Sequence, residues 1–158
     1  MATRGAIKSL KKVNLSKANY RIGIVSTRWH SDITDKLLKG ALDTLKKHGI
    51  PTSAITLKKV PGAFELPLGA QWIKESAKAD AVICLGCIIK GETPHFDYIS
   101  QAVAMGIMEL NLKYNIPFIF GVLTCNTLKQ AKQRSGGKHG NKGVEAALAA
   151  LEMLGNKK

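Results

Sequence analysis

Ala81-Val82-Ile83-Cys84-Leu85-Gly86-Cys87-Ile88-Ile89 is an unbroken apolar run between Asp80 and Lys90. A strand with one wet face alternates apolar and polar residues. A run apolar throughout has both faces covered, as in the middle of a parallel sheet. It is far shorter than the roughly 20 residues needed to span a bilayer.

Reading outward from this strand, similar elements stand on both sides. Residues 20–25 read as a short buried strand. Ser31 then offers a helix N-cap, and Ile33, Leu37, Leu38, Ala41, Leu42 and Leu45 recur at helical spacing. Gly49 and Pro51 supply the stop. A second strand is expected over 54–60, broken by Pro61-Gly62, with Pro67 in the first turn of a helix running to about residue 79. Beyond the central strand the pattern predicts a long helix from near His95 to Tyr114 and a fourth strand over 116–123. A helix near 128–134 follows, then a glycine-rich loop over 136–143. The last helix carries Val144, Ala147, Leu148, Leu151 and Leu154. Strands alternating with helices mean an α/β fold, with a four-stranded parallel sheet flanked by helices.

The bulk numbers agree with one domain. The chain has 158 residues, 45% hydrophobic and 22% charged, enough for a single substantial core and unlike a disordered composition. We read residues 20–158 as that domain and residues 1–19 as an N-terminal arm. Arg4, Lys8, Lys11, Lys12, Lys17, Arg21 and Arg28 all precede the first acid, Asp32, so the arm is basic. A transit peptide can look like this, but a strand beginning near Tyr20 leaves little room for one, so we expect an ordinary flexible or edge-pairing arm. The net charge of +13 would suit nucleic acid, a membrane surface or anionic small molecules. The basic residues are spread along the chain, however, and aromatics are only 6%, with no strand built to stack bases. We therefore expect anionic substrates, no nucleic acid and no membrane. An odd cysteine count (Cys84, Cys87, Cys125) without a secretory signal points to a reducing compartment, the cytoplasm. Cys84 and Cys87 have Cys-x-x-Cys spacing, but within a strand their side chains face opposite ways, and we expect no metal.

In open parallel sheets, ligands sit beyond the carboxyl ends of the strands. Four segments converge there: Thr27-Arg28-Trp29-His30, Val60-Pro61-Gly62-Ala63-Phe64-Glu65, Lys90-Gly91-Glu92-Thr93-Pro94-His95 and Thr124-Cys125-Asn126. Trp29 could lie over a heterocycle or merely cover the sheet. Phe64 beside Glu65 can stack a planar ring and accept from hydroxyls, or be core beside a helix-start charge. The turn from Lys90 into a helix at His95 is suited to phosphate, because free backbone N–H groups point outward at a helix start. His95 would stand at the rim, where histidine suits proton transfer. A plain turn with a solvated histidine would read the same. Arg134, Lys138 and Lys142 in the glycine-rich stretch resemble an anion site, without a Walker A pattern.

Taken together, these segments resemble the lumazine synthase family over nearly the whole chain. The matching motifs are Val60-Pro61-Gly62-Ala63-Phe64-Glu65-Leu66-Pro67, Gly91-Glu92-Thr93-Pro94-His95-Phe96-Asp97-Tyr98, Phe120-Gly121-Val122 and Lys138-His139-Gly140-Asn141-Lys142-Gly143. The resemblance implies a single-domain, flavodoxin-like three-layer sandwich. It also implies an enzyme that condenses 5-amino-6-(D-ribitylamino)uracil with 3,4-dihydroxy-2-butanone 4-phosphate, without metal or organic cofactor. By position, Trp29 would stack on the pyrimidine, where the family usually has phenylalanine. Ala63, Phe64 and Glu65 would hold the ribityl chain, and Cys87, Ile88 and Ile89 would line the substrate site. Gly91, Glu92 and Thr93 would cradle the phosphate, Arg134 would pair with it, and Lys142 would add charge nearby. His95 would be the catalytic proton shuttle. Phe120 would enter from a neighbouring subunit.

The implied assembly is a homo-oligomer, a pentamer or an icosahedral shell of sixty subunits, with riboflavin synthase as a further partner. Gly137 stands where the family often has threonine. The rival readings are a basic nucleic-acid-binding domain and a family member kept for riboflavin binding or shell building, with weak catalysis.

Overall fold

The computed structural model describes residues 19–156. The expected arm lies outside them except for Asn19. Four parallel strands make the sheet: β1 (Ile22–Thr27), β2 (Ile55–Val60), β3 (Ala81–Ile89) and β4 (Phe118–Cys125), in spatial order β2-β1-β3-β4. Helices α1 (Ser31–Lys47), α2 (Leu66–Ala77), α3 (His95–Tyr114), α4 (Leu128–Arg134) and α5 (Lys142–Asn156) cover it.

Alternation along the strands builds a core on each face. Ile22 and Ile24 of β1 with Ile83 and Leu85 of β3 pack against Leu37 and Leu45 of α1 and Leu151 of α5. On the other face, Val25, Val82 and Cys84 meet Leu66 and Ile73 of α2 and Val103 and Ile107 of α3. The result is the three-layer α/β sandwich expected. Cys84 and Cys87 fall in opposite layers, as strand alternation requires. All three cysteines are free and buried, and loss of hydration pushes the Cys84 and Cys87 thiols up to about 12, so both are neutral packing groups.

Three local expectations are corrected. Ser31 is the first residue of α1, and the N-cap is His30, whose φ of 57° puts it in the left-handed region. β1 and β4 each start two residues later than hydropathy suggested. At their entries the backbone is spent otherwise: the Arg21 N–H donates to the Asp80 carboxylate, and Pro117 has no N–H to give. Pairing decides a strand's bounds, and apolarity does not. Finally, the glycine-rich stretch is structured. Ser135–Gly137 (β5) and Gly140–Asn141 (β6) form a small antiparallel hairpin, with Gly136 and Gly140 at φ 114° and 81°. Asn141 then caps α5, its Oδ1 accepting from the Gly143 and Val144 N–H groups at 2.8 and 3.2 Å.

Candidate active site at the carboxyl rim of the sheet

The strand order sets the site. β1 pairs with β2 on one side and β3 on the other, so the chain's winding reverses at the β1–β3 seam, where such folds open a crevice. β1 pairs with β3 only as far as Ser26 opposite Leu85, whereas β3 continues against β4 to Ile89 opposite Cys125. The last residues of β3 thus outrun β1. Strand backbone groups alternate sides, so part of the N–H and C=O set over Cys87, Ile88 and Ile89 faces the vacated seam. The Cys87 side chain itself is buried in the α1 layer, so its offer to a ligand is main chain.

On the β2 side of the seam the aromatic pair assembles. The Arg28 and Trp29 N–H groups donate to the Val60 and Pro61 carbonyls at 2.8 and 3.0 Å, extending the β1–β2 pairing past the sheet. This lays the Trp29 indole against Gly62, where a Cβ would stand 2.4 Å from the ring. Only glycine leaves room for the indole. The next turn holds Ala63 buried and presents Phe64 outward, and Trp29 and Phe64 are 66% and 59% exposed. Two large aromatics left this open on neighbouring turns are a waiting contact surface. One Glu65 oxygen accepts from the Gly62 N–H at 3.0 Å, which holds the turn, and the other makes no hydrogen bond among the described residues.

On the β4 side lies the basic half. The Lys90 N–H donates to the Cys125 carbonyl at 2.8 Å, so the Gly91-Glu92-Thr93 loop leaves from beside the end of β4. These residues and His95, the first residue of α3, are exposed. A Cβ on Gly91 would meet nothing within 4 Å among the described residues, so none of them demands glycine there. The His95 imidazole makes no hydrogen bond among the described residues. Arg134 ends α4, close enough to the Cys125 thiol for its charge to counter in part the upward push of burial. Its guanidinium donates to Glu145 at 2.7 and 2.9 Å and to the His139 carbonyl. Lys142 Nζ stands 3.5 Å from Glu145. The Arg134 hydrogen bonds hold the Glu145 carboxyl below its usual range.

A model of the 6,7-dimethyl-8-ribityllumazine synthase family matches residues 19–158. The chain belongs to that family. Among its relatives, the 6,7-dimethyl-8-ribityllumazine synthase of Cytophaga hutchinsonii is 58% identical over 132 residues, covering 84% of this chain and 83% of its own. That of Parabacteroides distasonis is 54% identical over 133 residues, with 84% and 83% covered. That of Protochlamydia amoebophila is 51% identical over 143 residues, with 90% and 82% covered.

In this lumazine synthase fold one of the expected site residues stands apart. Phe120 is opposite Cys84, four residues short of Thr124 at the rim, and packs half-buried on the α2–α3 layer. At about 3.3 Å per residue it lies some 13 Å from its own rim. Two residues that shape this rim were given no role by the sequence reading. Glu145 is separated from Arg134 by the whole hairpin, and nothing in the spacing of the two pairs them. Asn141 carried only the generic signal of a capping residue before a helix. Among the described residues no three or more His, Cys, Asp or Glu gather as a metal site would need, and no helix is long and apolar enough to cross a membrane.

Proposed function

We propose that the chain condenses 5-amino-6-(D-ribitylamino)uracil with 3,4-dihydroxy-2-butanone 4-phosphate to give 6,7-dimethyl-8-ribityllumazine, as a transferase of riboflavin biosynthesis. Family membership names the reaction. The observation that carries the site is the seam where β3 outruns β1, with aromatics on one side and cations on the other.

Each group then has a part. Trp29 stacks on the pyrimidine, and the free backbone of Cys87, Ile88 and Ile89 reads its polar edge. Ala63, Phe64 and the open oxygen of Glu65 hold the ribityl chain. Gly91, Glu92 and Thr93 cradle the phosphate at the start of α3, helped by Arg134 and Lys142. The 5-amino nitrogen condenses with the ketone and releases water. Removal of a carbon-bound proton then expels phosphate. Elimination leaves an enol at the hydroxyl-bearing carbon, which tautomerises to a new ketone, and the ribitylamino nitrogen closes the ring there with loss of a second water. His95 moves protons in the first two steps. Much of the rate comes from holding both substrates in register.

The site is completed by a second copy. Phe120 is too far from its own rim to serve it and sits on an edge strand. The outer face of α3, turned away from the sheet, carries Tyr98, Met105, Met108 and Leu112, each more than half exposed. Apolar exposure on this scale asks for a partner. The reading therefore includes a homo-oligomer, a pentamer or a shell of pentamers, working in the cytoplasm, with riboflavin synthase consuming the product.

The test mixes protein with both substrates. Growth of lumazine absorbance is expected, from a preparation whose mass in solution is a multiple of five chains. Negligible turnover with strong quenching of added riboflavin fluorescence would favour the flavin-binding reading instead. A monomer with full activity would remove Phe120 from the site.

A further inference from the structure

We propose that Glu145 is a positioning residue, one that fixes which edge of Arg134 meets the substrate phosphate. The inference rests on the reaction proposed above and deepens it.

A guanidinium has five N–H donors arranged on two edges. In this structure Nη1 donates to Glu145 Oε1 and to the His139 carbonyl, which uses both of its hydrogens. Nη2 donates one hydrogen to Glu145 Oε2 at 2.9 Å. What remains is the Nε–H and the second Nη2–H. These two point the same way and form the side-on edge of the group, a complete bidentate fork for a tetrahedral anion. The carboxylate takes the end-on edge and the phosphate takes the other. Neither displaces its rival.

The surroundings suit this division. The Arg134 and Glu145 side chains are only 17% and 30% exposed, so the pair is partly screened from water. Arg134 comes from the end of α4, Glu145 from the first turns of α5 and the His139 carbonyl from the hairpin between them. Three segments therefore set one planar group. Lys142 at 3.5 Å from Glu145 offsets the negative charge that would otherwise oppose a phosphate. An arginine held this way has lost its rotamer freedom before the substrate arrives. Without Glu145, that ordering falls on the binding step and weakens it about fivefold, as expected for immobilising one long side chain.

Steady-state kinetics of the full chain, with each substrate varied in turn, read the effect. Glu145→Ala is expected to raise KM for the butanone phosphate about fivefold, with KM for the pyrimidine within twofold of the parent. Glu145→Gln keeps one acceptor oxygen and should fall between. Calorimetry with inorganic phosphate probes the same edge without turnover, and Glu145→Ala should weaken that binding about fivefold too. If the parent chain binds phosphate but makes no lumazine, the reaction fails and the edge assignment stands. An unchanged or lowered KM, or unchanged phosphate binding, would show that Glu145 does not orient Arg134. Both KM values rising together would mean general loosening of the fold, and would also overturn the proposal.

Discussion

Replacing His95 with alanine is expected to slow turnover at saturating substrate by about 10²-fold, the lower end of what general acid–base catalysis supplies. The low end follows from the geometry. His95 opens α3 at an exposed rim and its imidazole has no orienting partner among the described residues, so none of them fixes the ring. The larger share of the rate belongs to bringing two molecules together, where effective molarities reach about 10⁵–10⁸ M. Parent and variant should therefore bind both substrates equally well and differ in kcat. The check is kcat and both KM values at several pH values. A loss below about threefold, with the pH profile unmoved, would take proton transfer away from His95 and leave approximation as the whole mechanism.

The second large effect is on stability. Gly143→Ala should cost about 3 kcal/mol or more, at or beyond the upper range for overpacking. A Cβ at this position would stand 1.9 Å from the Leu37 carbonyl oxygen and 2.6 Å from its carbon. These are backbone atoms of α1, and a backbone cannot swing aside as a side-chain end can. The crossing of α1 and α5 would have to open. The same crossing carries Leu37, Ala147 and Leu151 of the core, and Asn141 Nδ2 donates to the Lys36 carbonyl at 3.0 Å beside it. Opening it would also tilt α5 and move Glu145 away from Arg134. Denaturant unfolding is the measurement. A midpoint close to the parent's, with an unchanged slope, would show that the two helices can separate at little cost.

These two residues mark how differently the sequence speaks about site and scaffold. The rim position of His95 was legible because a turn after an apolar strand, with glycine and proline around a histidine, is a local pattern. Trp29, Phe64 and Glu65 were legible for the same reason: strand ends in a parallel sheet share a rim, so placing the strands placed the residues. The contact of Gly143 with Leu37 had no such signal. Glycine at that point reads as part of a loop, and only the crossing of two helices a hundred residues apart shows what it is for. Glu145 was invisible likewise, since it reaches Arg134 only because a hairpin folds the intervening chain back.

From its residues alone this chain determines alternating strands and helices, two apolar faces on the central strand, and a rim bearing aromatics, a carboxylate and a histidine. Hydrophobic periodicity and turn chemistry act over a few residues, and a few residues suffice to read them. The tertiary structure alone decides that β3 outruns β1 at the seam. It alone also stacks Trp29 on Gly62, divides the edges of Arg134 between Glu145 and an open side, and carries Phe120 away from its own rim. Each depends on register, crossing or chain reversal between distant segments, where the geometry of the whole fold outweighs any local preference.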